Sequence, residues 1–335
     1  MKPVVLIISP TDDVHACAVL SFLQKHHGEV DSYIWDTGCK SDYPRINFAD
    51  DGYEIFVEDR WINGNEVGAV WWRRPKAVQI PKPIVDPQAK KHVVGSHGIL
   101  LDAFIASLGG KCINEYSASN FADLKPNQLV IAKSVGLLTP STLISNNYKK
   151  IAAFADAHGE IVVKPLGEML GCFPAARIVN CDDLSNAVES IEVCPSIYQE
   201  AILDAVDIRV TIVGKQIFSA RIKKNNEYAD AHVDWRLDAT SECIPHELAP
   251  ETNEKLIALM NSLNLKYAAI DLRLKSDGTT WFLEVNTAGQ YLWVEVDTRL
   301  PISASIAELL ADVATQDQKL TELMSLPNRL DARSS

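Results

Sequence analysis

The chain has 335 residues, of which 47% are hydrophobic, and this predicts roughly two or three structural units with enough apolar side chains for a core. Its formal net charge of −12, from 32 basic and 44 acidic residues, argues against a surface for nucleic acid or an anionic membrane, although a local basic pocket for a nucleotide is compatible with it. The seven cysteines are scattered and never form a CxxC pair, so we expect neither a zinc framework nor a disulfide scaffold.

The amino terminus begins with an apolar run at 4–8, which is too short for the apolar region of a secretory signal. No apolar run approaches the roughly 18 residues that a membrane span requires. We therefore expect a cytoplasmic protein whose partners include neither a membrane nor a nucleic acid.

Residues 1–113 are predicted to form an α/β domain. Strands are predicted at 4–9, 30–35, 53–57 and 67–72, and helices near 16–23 and at 88–108. This alternation predicts a parallel or mixed sheet covered by helices. The strand at 67–72 ends in Arg73 and Arg74, which indicate either anion recognition by guanidinium groups or a solvated strand end.

Residues 114–197 carry two lysines at element ends. Lys125 opens a helix that Gly136 ends, and Lys164 closes a strand at 159–165. A loop with Gly167 and Gly171 follows Lys164, and an ammonium group beside backbone N–H groups suits phosphates. Taken alone, each signal is weak, because most glycine loops are only turns and either lysine is compatible with a solvated position.

Residues 198–324 are predicted to hold a second sheet, and residues 325–335 to form a frayed tail. A strand at 197–202 leads to a strand at 207–211 that carries Asp207 and Arg209. The run 216–222 is a hairpin partner, and an apolar stripe from 302 to 313 predicts a packing helix. A polar stretch with Arg236 lies between these elements.

The stretch 268–295 has the clearest pattern. Two alternating runs, 270–275 and 279–286, flank Asp277-Gly278, a dipeptide favoured in two-residue hairpin turns. If this turn forms, Ser276 pairs with Thr279, and counting outward places Asp271 opposite Glu284. Asn286 then projects from the same face as Glu284.

Opposed carboxylates repel each other unless something positive lies between them. Asp271, Glu284 and Asn286 offer hard oxygen ligands that suit Mg²⁺, which takes one or two carboxylates and leaves places for phosphates. The alternative is a solvent-facing pair whose side chains point apart. A bulge would shift the register by one residue, and Asp271 would then no longer be expected opposite Glu284.

The pattern Asp271…Glu284-Val-Asn286 resembles the magnesium-binding end of ATP-grasp ligases. Its continuation, 286–295, is similar to the macrocyclases of ribosomal peptides called graspetides, the microviridin-type ligases, although Thr287 stands where that family usually has proline. The resemblance extends along the chain in order, through Lys125, Lys164, Glu200, Asp271, Glu284 and Asn286. It implies an α/β ATP-grasp fold with an amino-terminal pre-ATP-grasp domain (1–113), a central lid (114–197), a carboxyl-terminal α+β domain (198–324) and a tail (325–335).

The resemblance also implies the roles of individual residues. ATP and Mg²⁺ would be used, with a lid at 166–173. The implied catalytic residues are Lys164, Arg209 and Arg236. The implied nucleotide-binding residues are Lys125, Lys164, Gln199, Glu200, Ala201, Ile202, Asp207 and Arg209, with the backbone of 199–202 as the adenine hinge. The metal ligands would be Asp271, Glu284 and Asn286.

The activity that this resemblance implies is ATP-dependent activation of Asp or Glu side chains of a ribosomal precursor peptide, followed by intramolecular ester or amide formation. The partner would be that peptide, leader plus core, and a homodimer is left open. The alternatives are an intermolecular ligase that adds an amino acid to a peptide or small carboxylate, an ATP-grasp kinase, and a nucleotide-binding protein without catalysis. The sequence identifies neither the peptide nor the type of bond.

Overall fold

The computed structural model describes residues 2–39, 43–167, 176–224 and 241–325, with side chains as far as residue 316. Its strands are β1 (Val4–Ile8), β2 (Asp31–Trp35), β3 (Ile46–Ala49), β4 (Gly52–Val57), β5 (Arg60–Asn63), β6 (Val67–Trp72), β7 (Cys112–Ile113), β8 (Thr142–Ser145), β9 (Ile161–Pro165), β10 (Arg177–Val179), β11 (Ser196–Glu200), β12 (Ala205–Val213), β13 (Gln216–Lys223), β14 (Glu242–Pro245), β15 (Tyr267–Lys275) and β16 (Thr280–Asn286). Its helices are α1 (Val14–His26), α2 (Pro87–Leu108), α3 (Tyr116–Ala122), α4 (Lys125–Ser134), α5 (Tyr148–His158), α6 (Cys181–Ser185), α7 (Val188–Val193), α8 (Pro250–Ser262), α9 (Leu292–Thr298) and α10 (Ile302–Ser325).

The chain forms two compact units. The first contains Met1–Ser117 and Pro301–Ser335, and the second contains Ala118–Leu300. The predicted nucleotide and metal ligands, from Lys125 to Asn286, therefore belong to the second unit. The finer domain division of the sequence prediction, with boundaries near 113, 197 and 324, stays a prediction.

The first unit is built on a sheet in the order β2-β1-β6-β7, in which all three strand pairs are parallel. All five residues of β1 are buried, as expected for a strand covered on both faces. A small antiparallel sheet, β3-β4-β5, contributes Ile55, Val57 and Ile62 to the same core. The predicted parallel or mixed sheet is confirmed, and β3, β5 and β7 are additions.

The second unit contains two antiparallel sheets. The first has the order β10-β9-β11-β8, and its core joins Ile161 and Tyr198 of the strands to Ile151 and Leu184 of the helices. The second has the order β14-β13-β12-β15-β16. It places the helix α4, which begins at Lys125, near β16, the last strand.

The second sheet separates apolar from polar side chains by strand parity. In β15 and β12 the even-numbered residues 268, 270, 272, 208, 210 and 212 pack in the core with residues of α4 and α8. The odd-numbered residues project from the other face, because successive side chains of a strand alternate. Arg209, Asp271 and Arg273 are among them. The apolar face thus fixes the register on which the polar face depends.

The helix segment Pro87–Lys111 is long and apolar enough to cross a membrane, by length and composition alone, and 11% of its apolar window is buried. This differs from the sequence expectation, because Gly, Ser and His residues interrupt every continuous apolar run while the mean hydropathy stays at 1.4. One such helix is weak evidence for a span. Phe104 and Ile105 of the same helix lie in the core of the first unit.

The packing of α10 against β6 gives a test of the first unit. A Cβ on Gly68 would lie 2.8 Å from Ala314 O and 2.9 Å from Pro3 Cβ. We expect Gly68→Ala to destabilise the protein by about 1–3 kcal/mol, because backbone has to shift to accommodate the methyl group. Thermal unfolding measures this. The control is Gly28→Ala, because no atom lies within 4 Å of a Cβ placed on Gly28. Equal melting temperatures of the two variants would contradict the close contact of Gly68 with Ala314.

Candidate active site

The β15–β16 hairpin brings the predicted metal ligands together. Asp271 lies directly opposite Glu284, and Asn286 lies opposite Ala269. The predicted opposition of the two carboxylates is confirmed. The side chains of Asp271 and Glu284 are 18% and 32% exposed, so their oxygens are accessible to a ligand.

The turn that joins the two strands differs from the predicted one. Its loop holds three residues, 276–278, because Lys275 N–H donates to Thr279 O at 2.9 Å and Gly278 N–H donates to Lys275 O at 3.0 Å. Gly278 has φ +87°, which suits the left-handed position of a three-residue hairpin loop. The predicted two-residue turn is wrong. A bulge at Leu283 then shifts the register back by one residue, which restores the opposition of the carboxylates.

The donor set suits a magnesium ion that is shared with phosphate. Asp271, Glu284 and Asn286 supply two carboxylates and one amide oxygen, all hard ligands. Asn286 Oδ1 accepts a hydrogen bond from Ala288 N–H at 3.1 Å, which orients the amide. Across the described residues, no group of three or more His, Cys, Asp or Glu side chains could hold a metal. The residues thus fit an ion that takes part of its coordination from a nucleotide, not an all-protein cage.

Each carboxylate already has a cationic partner. Arg209 Nη1 donates to Asp271 Oδ1 at 2.8 Å, and Lys125 Nζ donates to Glu284 Oε2 at 2.8 Å. Arg209 reaches its partner because β12 pairs with β15 in a register that sets Arg209 opposite Asp271. Lys125 comes from the first residue of α4. The repulsion expected between the opposed carboxylates is therefore offset by two protein cations.

The loop after Asn286 packs closely against Arg209. Arg209 Nη2 donates to Gln290 O at 2.8 Å, and the buried Tyr267 hydroxyl donates to Gly289 O at 2.6 Å. A Cβ on Gly289 would overlap the Ala269 side chain and lie 3.0 Å from Arg209 Nη2. Glycine is required at this position because the loop approaches β15 so closely.

Lys164 lies on β9 in the first sheet of the second unit. Its Nζ donates to Gln199 Oε1 at 3.0 Å, and Gln199 Nε2 donates to Thr142 Oγ1 at 2.9 Å. Glu200 accepts a hydrogen bond from Ser141 N–H at 3.2 Å. These contacts orient Lys164 beside β11, the strand that leads into the predicted adenine hinge.

Two backbone groups of that hinge have protein partners. Ala201 N–H donates to Glu160 O at 3.3 Å, and Ile202 O accepts from Arg273 Nη1 at 2.7 Å. These two hydrogen bonds fix the backbone of the predicted hinge at Ala201 and Ile202. The adenine contacts of 199–202 stay a prediction.

Arg273 is a residue that the sequence interpretation missed. It is 4% exposed, and its Nε lies 3.2 Å from Asp207 Oδ1 while Lys224 Nζ lies 2.7 Å from Asp207 Oδ2. Asp207 is thus held between two cations, and Arg273 links it to the hinge carbonyl of Ile202. The available signal was the second Asp-x-Arg pattern, 271–273, which matches that at 207–209.

A cavity of about 580 Å³ lies next to this cluster. Its lining joins Ile178 of β10 to the two residues after the predicted hinge and to residues in or next to β12, β13 and β15, namely Leu203, Asp204, Ala205, Val206, Asp207, Arg221, Ile222, Lys223, Lys224 and Arg273. Four basic side chains against two acidic ones make it a suitable environment for an anionic ligand. Its volume is in the range of small-molecule and cofactor sites.

Comparisons with known proteins decide the family. The ATP-grasp domain of prokaryotic glutathione synthetase, as a family model, matches residues 127–260. The macrocyclase MdnC of Microcystis aeruginosa MRC, solved with the precursor peptide MdnA, is 30% identical over 92% of this chain and 99% of its own, with a TM-score of 0.82. The chain belongs to the ATP-grasp macrocyclase family.

Two further ATP-grasp ligases share the fold. The Chryseobacterium gregarium ligase associated with ribosomally synthesised, modified peptides, solved with ADP and a leader and core peptide, is 24% identical, with a TM-score of 0.81 over 92% of this chain and 97% of its own. The ligase PsnB, solved with a minimal precursor, Mg and ADP, is 22% identical, with a TM-score of 0.75 over 94% of this chain and 98% of its own. No curated protein sequence matches the chain.

Arg236 and most of the predicted lid at 166–173 lie outside the described residues. Arg73 belongs to the first unit, where its side chain is fully buried and its Nε lies 3.4 Å from Asp13 Oδ2. The interpretation of Arg73 as a solvated strand end is therefore wrong.

Cys243 lies near the ATP-grasp arginine Arg209, yet it is not a candidate nucleophile. Burial raises the pKa of its thiol to about 12, the Asp297 carboxylate adds to this rise, and Arg209 opposes it. Asp297 also accepts a hydrogen bond from Cys243 N–H at 2.9 Å. The thiol therefore stays protonated and unreactive at neutral pH.

The two carboxylate–cation pairs predict a difference in stability. Asp271→Asn leaves the buried Arg209 without its charged partner, so we expect it to lower the free energy of unfolding by about 1–3 kcal/mol. Glu284→Gln should cost less, below about 1 kcal/mol, because the Lys125 pair is more exposed. Denaturant unfolding measures both values.

Glu251→Gln is the matched control, since Glu251 pairs with Lys255 at 2.6 Å on an exposed helix face. We expect both site variants, and not this control, to lose ATP consumption. An Asp271→Asn protein with the parental rate of ATP consumption would contradict the metal assignment.

Proposed function

We propose that this protein is an ADP-forming ligase that activates Asp or Glu side chains of a ribosomal precursor peptide and joins them to Ser or Thr hydroxyls or Lys amines of the same peptide. The observation that carries the proposal is the opposed pair Asp271 and Glu284, each with its own cation, in a fold that matches a macrocyclase over nearly its whole length. ATP and Mg²⁺ are the expected co-substrate and metal, as in related complexes that hold ADP and Mg.

The residues divide between metal and phosphates. Asp271, Glu284 and Asn286 would hold Mg²⁺, which would supply positive charge to neutralise the phosphates of the nucleotide. Lys125 and Lys164 supply ammonium groups for the phosphates. Their charge matters most while negative charge moves from the γ-phosphate to ADP.

Lys125 has a second task in this proposal. Its ammonium is hydrogen-bonded to Glu284 at 2.8 Å, and an ammonium on a flexible stem moves readily to a stronger anion. Nucleotide phosphates would draw Lys125 away from Glu284, and this frees a carboxylate oxygen for the metal. Arg209 is held more firmly, by Asp271 and by Gln290 O, so it stays in place as a fixed positive charge.

The reaction has two balanced steps. A carboxylate oxygen of the peptide attacks the γ-phosphorus of ATP, the bond to the β,γ-bridging oxygen breaks, and ADP leaves. The hydroxyl or amine of a second side chain then attacks the acyl carbon, loses its proton, and expels phosphate. The first step makes the carboxyl group a good electrophile, and water must be kept from it before the second step occurs.

The precursor peptide is the partner that this chemistry requires. A related macrocyclase and a related ligase are each bound to such a peptide, in the latter case to leader and core segments. The excess of basic side chains around the 580 Å³ cavity suits an acidic group of a peptide or nucleotide. Recognition of a leader segment, the type of bond and the number of rings belong to the proposal.

Mass spectrometry tests the reaction class. With ATP, Mg²⁺ and a candidate precursor peptide, namely a short peptide rich in Asp or Glu and in Ser, Thr or Lys from a neighbouring reading frame, we expect a loss of about 18 Da per ring, the mass of one water removed by condensation. Hydroxylamine added during turnover should trap the acyl phosphate as a hydroxamate. Asp271→Asn is the inactive control.

Two other products would contradict the macrocyclase proposal. A stable phosphorylated peptide would identify a kinase, and a peptide heavier by one amino acid would identify an intermolecular ligase. Either product would still be consistent with the ATP site but would contradict the proposed crosslinked product.

A further inference from the structure

Gln128 makes an unusual set of contacts for a residue inside a helix. It lies on α4 and is 1% exposed. Its Nε2 donates to Val285 O at 2.8 Å and to Ala122 O at 2.7 Å, and its Oε1 accepts from Val285 N–H at 3.0 Å. The side chain therefore pairs with both backbone groups of Val285, as a neighbouring strand would.

Val285 occupies a sensitive position. It lies on β16, the edge strand of the sheet, between the two metal ligands Glu284 and Asn286. The outward backbone groups of an edge strand need partners other than a strand. Gln128 supplies them at Val285, and Leu138 O accepts from Phe282 N–H at 2.8 Å. The segment from α4 to Leu138 thus covers the free edge of β16.

The bulge at Leu283 increases the need for such support. The β15–β16 ladder changes register between Asp271 and Leu272, so pairing with β15 alone is interrupted directly before Glu284. A bulge locally disrupts the ladder and re-aims side chains. The direction of Glu284 is then set by what fixes the residues on either side of it, and Val285 is fixed by Gln128.

α4 contacts β16, the strand of Glu284 and Asn286, through both a side chain and the backbone of the strand. Lys125 and Gln128 are three residues apart and lie on one face of the helix. Lys125 donates to the Glu284 carboxylate, while Gln128 binds the backbone one residue further along. The same part of the chain also anchors the loop after Asn286, because the Thr287 hydroxyl donates to Asp123 Oδ1 at 2.9 Å.

We infer that Gln128 is a positioning residue for the metal ligands, because its amide fixes the backbone between Glu284 and Asn286 and so sets the spacing of their oxygens. This inference rests on the proposed function, since it concerns the metal of the same ATP site. Gln128 touches no reacting atom. Its effect is on Mg²⁺, and the nucleotide contacts of Lys164 and the hinge do not depend on it.

The test compares nucleotide affinity with and without the metal. Calorimetry gives the Kd of ADP in EDTA and in excess Mg²⁺ for the parent, for Gln128→Met and for Asn127→Leu. Gln128→Met keeps the length of the side chain and removes all three hydrogen bonds. Asn127→Leu is the matched control on the same helix as Gln128, because the Asn127 amide donates to Phe121 O of α3 at 3.2 Å and has no hydrogen bond to the described residues of β16.

In Gln128→Met we expect the gain in ADP affinity from Mg²⁺ to fall by about tenfold, as for other residues that orient metal ligands. The Kd in EDTA should stay within about twofold of the parent. Turnover should recover as Mg²⁺ is raised, and Asn127→Leu should behave like the parent. If Gln128 only stabilised the fold, Gln128→Met would lose the same ADP affinity with and without Mg²⁺, and added Mg²⁺ would not restore its turnover.

The inference would be overturned if Gln128→Met lost the same ADP affinity in EDTA as in excess Mg²⁺, or if it lost none in either condition. A parent protein that binds ADP without any effect of Mg²⁺ would overturn the proposed function and the inference with it, so the two failures are distinguishable. If Gln128→Met does not fold, hydrogen exchange of the Val285 amide in the parent decides. We expect slow exchange from a bonded N–H, and rapid exchange typical of an open strand edge would refute the assignment.

Discussion

Two carboxylates face each other across a pair of strands, and the site is organised around the need to hold them there. Asp271 and Glu284 repel when alone. Arg209 and Lys125 offset that repulsion, each at 2.8 Å from one carboxylate. The consequence for function is competition: a metal that uses these oxygens has to share them with, or take them from, two protein cations.

The rest of the second unit supports this arrangement. The apolar face of β12 and β15 buries the even-numbered side chains, and this fixes the register that sets Arg209 opposite Asp271. On the polar face, Arg273 links Asp207 to the hinge carbonyl of Ile202. Buried charges in such a network are costly unless all are paired, so the network tolerates few other positions for its members.

Local pattern and motif order predicted most of the long strands, the opposed carboxylates and the family, but not the short strands β3, β5, β7, β10 and β14. The opposition of Asp271 and Glu284 was right although the turn was wrong, because the three-residue loop and the bulge at Leu283 shift the register in opposite directions. Local propensity favours a two-residue turn at Asp-Gly, and the bulge depends on how β16 packs. The sequence of the hairpin alone therefore predicts neither the three-residue loop nor the bulge.

Residues that act through distant contacts were not predictable. Gln128 reads as an ordinary polar helix residue, and its partner Val285 lies 157 positions away. Arg273 follows strand alternation and gives no signal of burial, and its only sequence signal is the repeated Asp-x-Arg pattern. The apolar stripe at 302–313 predicted a packing helix, which the structure extends to 325. Its contact with β6 depends on Gly68, and no sequence pattern connects Gly68 to this helix.

The most direct test of the account is a calorimetric Mg²⁺ titration of the nucleotide-free protein and of Lys125→Met. The account predicts that Mg²⁺ binds more tightly to Lys125→Met than to the parent, because Glu284 no longer has its ammonium partner, and that adding ADP tightens Mg²⁺ binding by the parent. Equal Mg²⁺ affinity in the two proteins would contradict the claim that Lys125 and the metal compete for the same carboxylate.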